Sequence, residues 1–199
     1  MNVNPISITD VLVDSTTNAI VPLGYDYHQI HEGAFFTVHI DNTTASTDDH
    51  RTFVGFEAPA GTTWFHATVH GACSSAAEIF FVENVTIDDD EGTQVVALDR
   101  NRNTANTSTI LSLEGTPTAG SVTWMTETQL NTANFSYVTL LDHNYLVAGS
   151  GPKALGGHSR TEGEFVLKSG LKYGVFIQNV GASANLHEIS IGWKEYANE

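Results

Sequence analysis

Apolar and polar residues alternate with a period of two along much of this chain. In the run Thr63-Trp-Phe-His-Ala-Thr-Val-His70 the alternation places Phe65, Ala67 and Val69 on one face of a strand. Trp64, His66, Thr68 and His70 fall on the other. Near the end of the chain, two strand-forming runs flank Lys168-Ser169-Gly170, whose glycine is free to take the positive φ of a tight turn. The second of these runs sets Tyr173, Val175 and Ile177 opposite Lys172, Phe176 and Gln178. A third, Glu188 to Tyr196, aligns Ile189, Ile191, Trp193 and Glu195.

Further strands are predicted at Ala34–Ile40, Thr52–Phe56, Thr63–Val69, Ala77–Val82, Thr93–Leu98, Ser108–Leu113, Val122–Thr128 and Tyr137–Leu141. Between them lie turn clusters such as Asp41-Asn-Thr-Thr, Ala58-Pro-Ala-Gly61, Gly115-Thr-Pro117 and Asn131-Thr-Ala-Asn134. No long stretch has helical period, and one short helical turn is expected near Asp26–His31. Short strands about ten residues apart predict an all-β protein: an antiparallel, jelly-roll-like β-sandwich spanning residues 25–199. Residues 1–24 hold one weak strand signal, Ile6 to Val13, and a polar break at Asp14–Asn18. They are expected to form an extended arm. The Gly-rich stretch 149–158 has no lysine-serine or lysine-threonine ending and reads as a long loop rather than a phosphate cradle.

Composition strengthens the all-β reading. Hydrophobic residues make up 41% of the 199, enough for a buried core, and only 16% are charged, so Thr, Ser, Asn and Gly must supply much of the polar surface. The formal charge is −15, from 23 acidic and 8 basic residues. Without clustered lysine and arginine to neutralise phosphates, nucleic acid is not an expected partner. No apolar run approaches a membrane span, and the N-terminus lacks the basic-then-apolar pattern of a signal peptide. The single cysteine, Cys73, excludes an intrachain disulfide, and folding in a reducing cytoplasm is the expectation.

The chemistry-bearing residues assemble into no familiar catalytic pattern. His66 and His70 share a strand face, but four residues of strand span roughly 13 Å, too far for both to reach one ion at about 2 Å. His28-Gln-Ile-His31-Glu32 lacks the order and helical spacing of a zinc-protease motif. Asp88, Asp89, Asp90 and Glu91 lack the alternating ligands of an EF-hand loop and read as a solvated turn. There is no G-x-S-x-G elbow, and Cys73 has no recognisable partner. No cofactor and no bound metal are expected, and the reading turns from enzyme to interaction surface.

Three segments together resemble a family of tailed-bacteriophage virion proteins: Tyr27-His-Gln-Ile-His-Glu-Gly-Ala-Phe-Phe36, Leu98-Asp-Arg-Asn-Arg-Asn103, and the closing unit from Glu164-Phe-Val-Leu-Lys168 through Tyr173 and Asn179 to Ile191-Gly-Trp-Lys-Glu195. The resemblance spans most of residues 25–199. It implies a non-enzymatic structural protein on the outer surface of the capsid, a decoration or cement protein that binds the major capsid protein, with a homotrimer expected. Candidate interaction residues are Trp64, His66 and His70 on the sandwich, and Ile6, Ile8, Val11 and Val13 in the arm. The arm would reach a neighbour by adding a strand to a sheet edge. An alternative is a carbohydrate- or receptor-binding module of a phage tail or fibre, which requires an exposed aromatic platform such as Trp64 or Trp124 beside acidic ligands.

Overall fold

The computed structural model describes residues 12–13, 20–21, 30, 32–45, 50–87, 91–104, 106–126, 130, 135–146, 159–160, 163–181 and 184–197. Fourteen strands run through them: β1 (Leu12–Val13), β2 (Ile20–Val21), β3 (Phe35–Ala45), β4 (Arg51–Ala58), β5 (Thr63–Cys73), β6 (Ala77–Glu83), β7 (Thr93–Val96), β8 (Leu98–Asp99), β9 (Ser121–Thr126), β10 (Thr139–Leu146), β11 (Ser159–Arg160), β12 (Phe165–Leu167), β13 (Leu171–Asn179) and β14 (Asn185–Ala197). Among the described residues β1 and β2 pair only with each other. The rest form two antiparallel sheets: sheet I in the order β11-β5-β14-β3-β8, with β12 also paired to β5, and sheet II in the order β10-β6-β13-β4-β9-β7.

β3 to β6 alternate between the sheets, as do β12 to β14, so β3-β14-β5-β11/β12 faces β4-β13-β6-β10. That is the strand order of a jelly roll, two interlocked Greek keys. The insertion carrying β7, β8 and β9 widens both sheets beyond β3 and β4.

The period-two faces form the core. β5 shows strict alternation, with Phe65, Ala67 and Val69 buried and Trp64 exposed. Tyr173, Val175 and Ile177 of β13 meet Ile189, Ile191 and Trp193 of β14 in the layer between the sheets, together with Phe36 and Val38 of β3 and Val54 and Phe56 of β4. The Trp193 indole lies between Phe36 and Phe56, both with ring centroids 6.1 Å away. Burial of a large apolar side chain is worth roughly 1.5–3 kcal/mol, so this layer supplies the main drive for folding.

Polar side chains tie the sheets together at one end. The Asn179 Oδ1 accepts from Asn185 Nδ2 (2.8 Å) and from His187 Nε2 (2.6 Å). The imidazole therefore carries its proton on Nε2, and its Nδ1 accepts from the Thr52 hydroxyl at 2.9 Å. Thr52 Oγ1 accepts in turn from Asn42 Nδ2 at 2.8 Å. Asn185 Oδ1 takes the backbone N–H groups of Ser74 (2.9 Å) and Ser75 (2.8 Å). The Asn42, Thr52, Asn179, Asn185 and His187 side chains are all buried, and the donors named meet acceptors, as a low-dielectric site demands.

Two expected strands differ. Thr93–Leu98 breaks at Ala97: β7 stays in sheet II and β8 crosses to sheet I. Ser108–Leu113 forms no ladder strand. Leu111 exchanges backbone hydrogen bonds with Glu57 (2.8 and 3.0 Å), Ser112 N–H donates to the Thr118 carbonyl (3.1 Å) and Gly120 N–H to the Ile110 carbonyl (2.8 Å), while side chains take other donors of the run. Ser108 Oγ accepts the Ile110 N–H at 3.2 Å, Glu195 accepts the Thr109 N–H at 3.1 Å, and Thr123 Oγ1 accepts the Leu113 N–H at 2.6 Å. Such side-chain acceptors compete directly with a sheet ladder. Of the helical turn expected near Asp26–His31, residues 26–29 and 31 lie outside the described residues. Gly33, at φ 70°, closes the adjoining turn by donating to the Ile30 carbonyl at 3.1 Å.

Candidate functional site

The outer face of sheet II carries a row of aromatic side chains in cross-strand register: His143 on β10, Phe80 on β6, Phe176 on β13 and Phe53 on β4. His143 stacks on Phe80 at 4.4 Å, and Phe80 on Phe176 at 4.5 Å, close to the strand spacing itself. Phe53 then lies across two glycines paired between strands, Gly55 and Gly174. A Cβ at either would come within 2.5 Å and 2.4 Å of its ring, so the close approach requires glycine. Phe135 covers this end of the row at 5.5 Å from Phe53 and 5.3 Å from Phe176. Phe53, Phe176, Met125, Leu113, Val82, Val85 and Leu130 thereby make a second small core outside the sandwich layer.

Beside it lies an open groove of about 400 Å³, lined by Arg51, Phe80, Phe135, Ser136, Tyr137, Phe176 and Gln178. Arg51 Nε donates to Gln178 Oε1 at 2.8 Å along its wall. Continuing outward, Val138 (74% exposed), Leu140 and Tyr145 (69%) remain open to solvent. Leu140 pairs with Val82 and Tyr145 with Glu78, so both belong to this same outer face. β10 ends the sheet, and among the described residues nothing pairs with its far side. A bulge between Leu140 and Asp142 breaks the regularity of this edge.

The sequence-predicted residues lie on the opposite sheet. Trp64, His66 and His70 share the outer face of sheet I, as their alternation requires. Trp64 is 49% exposed. His66 Nδ1 approaches Glu164 Oε2 at 3.2 Å and meets Tyr196 edge-on at 4.9 Å. Glu164 also binds the buried Lys194 ammonium. Burial pushes the Glu164 carboxyl up, but the hydrogen bonds and charges of Lys194 and His66 outweigh it and hold the group below its ordinary value. Arg100 stacks on Phe35, 4.3 Å from its centroid, and extends this charged row. Within residues 1–24, Val13 belongs to β1, which pairs with β2 in the register Leu12 to Val21 and Val13 to Ile20. Ile6, Ile8 and Val11 lie outside the described residues, as do His28, His31, the acidic residues 88–90 and the Gly-rich stretch 149–158.

Strand pairing brings together one group that sequence reasoning missed. His39, Asp41 and Glu188 place a nitrogen and two carboxylate oxygens within 4.8 Å of one another on the outer face of sheet I. The His39-x-Asp41 spacing was legible. The cross-strand pairing of Asp41 with Glu188 was not. His39 Nε2 lies 3.1 Å from Asp41 and Nδ1 3.9 Å from Glu188, so each ring nitrogen already faces a carboxylate, and all three groups are solvated.

Two hydroxyls that contact a base or carboxylate are buried, whereas Thr109 donates to Glu195 Oε2 at 2.8 Å from an exposed position. Thr52 and His187 form a hydroxyl–imidazole pair with neither side chain accessible. Ser108 bonds Glu195 beneath the Trp193 indole and is also buried. Burial pushes the Cys73 thiol up to about 11, only partly countered by a hydrogen bond from the Ser75 backbone. The two outer faces differ, with an aromatic row on sheet II and a row of charged side chains on sheet I. Comparison with protein-family models, with curated proteins and with solved structures returned no match.

Proposed function

We propose that this chain is a non-enzymatic structural protein of a bacteriophage particle, which decorates and stabilises the outer surface of the capsid by binding the major capsid protein. The observation that carries the docking role is the exposed apolar margin of sheet II. Val138, Leu140 and Tyr145 line one outer face beside the edge of β10, flanked by the Tyr137 groove. Exposed apolar side chains gathered along one sheet margin favour a protein contact, and tyrosine is favoured at such contacts. The jelly roll supports the reading without deciding it, since the fold serves viral shells and lectins alike. The charge of −15 favours a site outside the shell, away from packaged nucleic acid. The partner and the homotrimer are what the resemblance of three segments, within 27–36, 98–103 and 164–195, to virion proteins implies.

Co-sedimentation with capsids lacking this protein tests it. Full-length protein is expected to saturate the shells, and the double variant Leu140→Ser, Tyr145→Ser to lose occupancy at least tenfold while keeping its circular-dichroism spectrum. Equal occupancy by the folded variant would remove this face from the interface.

A further inference from the structure

The exposed indole of sheet I points to a second activity. Of the three tryptophans, Trp193 is buried and Trp124 is half-buried with its Nε1 enclosed. Trp64 is 49% exposed, and its ring makes no hydrogen bond and no ring contact with any described residue. It lines an open groove of about 400 Å³ where the β4–β5 turn meets the β12–β13 turn. Thr63, Val166, Lys168 and Ser169 are on the same walls.

The aromatic row of sheet II differs in a decisive way. There His143, Phe80 and Phe176 stack face to face, so their ring faces cover one another. Among the described residues Trp64 has no such partner, so a ligand with a flat apolar face meets no competitor from them. The groove's remaining lining is mixed. Thr63 and Ser169 contribute hydroxyls, which both donate and accept. Lys168 adds an ammonium whose charge is already balanced by Glu83 at 2.9 Å. Val166, 57% exposed, extends the apolar strip alongside.

We infer that the Trp64 groove binds an uncharged saccharide of one or two rings. A pyranose has an apolar C–H face that stacks on an indole and a rim of hydroxyls that exchange hydrogen bonds with short polar side chains. Its size suits a pocket of a few hundred Å³. Charge selects the neutral class: the groove holds no uncompensated cation among its described walls, and a chain of −15 repels uronic and sialic acids. Trp64 lies on sheet I, not on the face of sheet II assigned to docking, so a particle-bound copy would present the groove outward. This inference does not depend on the capsid reading.

The test is saturation-transfer NMR on the full chain. The probes are methyl glycosides of glucose, galactose, mannose, rhamnose and N-acetylglucosamine at millimolar concentration, with galacturonate and N-acetylneuraminate as the charged arm. At least one neutral glycoside is expected to receive saturation at its ring protons. The signal should disappear in Trp64→Ala and weaken several-fold in Ser169→Ala, and persist in Leu140→Ser. Circular dichroism and the melting temperature confirm that each variant is folded. No transfer to any neutral glycoside, transfer to the charged sugars alone, or transfer unchanged in folded Trp64→Ala would each overturn the proposal. So would neutral sugars failing to compete with an aromatic peptide that binds the same indole.

Discussion

Acid should loosen the sandwich at the end where His187 joins the sheets. Burial pushes this imidazole down to about 4 from an ordinary 6.5, and the nearby His50 adds a smaller effect in the same direction. The geometry explains why. Protonated, Nδ1 would point a second N–H at Thr52, whose hydroxyl now donates to it, and among the described residues no carboxylate contacts the ring to balance the new charge. Between about pH 6.5 and 4 the unfolded chain binds more protons than the native one, so stability rises with pH across that window. The contribution is complete above the upper value and is lost as pH falls toward the lower one. At about 1.4 kcal/mol per tenfold change in proton affinity, the total approaches roughly 3 kcal/mol. Urea unfolding across that window would measure it in the natural chain and in His187→Gln. The variant should be less stable near neutrality by about 1–3 kcal/mol, through lost buried hydrogen bonds. Its deficit should shrink or reverse by about 3 kcal/mol toward pH 4, because the exposed carboxylates titrate alike in both proteins. Parallel pH profiles for the two chains would show that His187 does not set the acid limit.

Three further outcomes follow from the packing. Ile177→Ala should lower stability by roughly 2–5 kcal/mol in denaturant unfolding, since Ile177 is fully buried between the sheets; an unchanged midpoint would contradict its placement. Gly174→Ala should cost about 1–3 kcal/mol by driving a methyl into the Phe53 ring, and Phe53→Leu should recover part of that loss in the double variant. Deleting residues 1–20 should leave the sandwich folded by circular dichroism while weakening trimer formation or capsid co-sedimentation; full occupancy by the truncated chain would leave docking to the sandwich alone.

The fold was legible wherever one face of a strand is wet. Trp64 to Val69 alternates because β5 separates core from solvent, and its burial follows the sequence residue by residue. β13 was harder. Val175, Phe176 and Ile177 are all buried, because Phe135 covers the outer face that alternation assigns to solvent. That cover comes from a segment distant in sequence, and no local period announces it. The Ser108–Leu113 run has strand composition, but Glu195 and Thr123 claim its backbone donors, a competition that only the folded pairing creates. The same limit applies to the surfaces. Trp64 was found from its own strand, whereas the margin of Val138, Leu140 and Tyr145 depends on β10 ending its sheet. Position in a sheet is set by long-range pairing, and a single sequence does not encode it in any one segment.

The central claim, a shell protein docked through sheet II, is tested most directly by counting copies in purified particles. Quantitative mass spectrometry against the major capsid protein should give a fixed ratio set by capsid symmetry, on the order of hundreds of copies per particle. A handful of copies per particle, or none, would contradict it and move the protein to the tail or out of the virion.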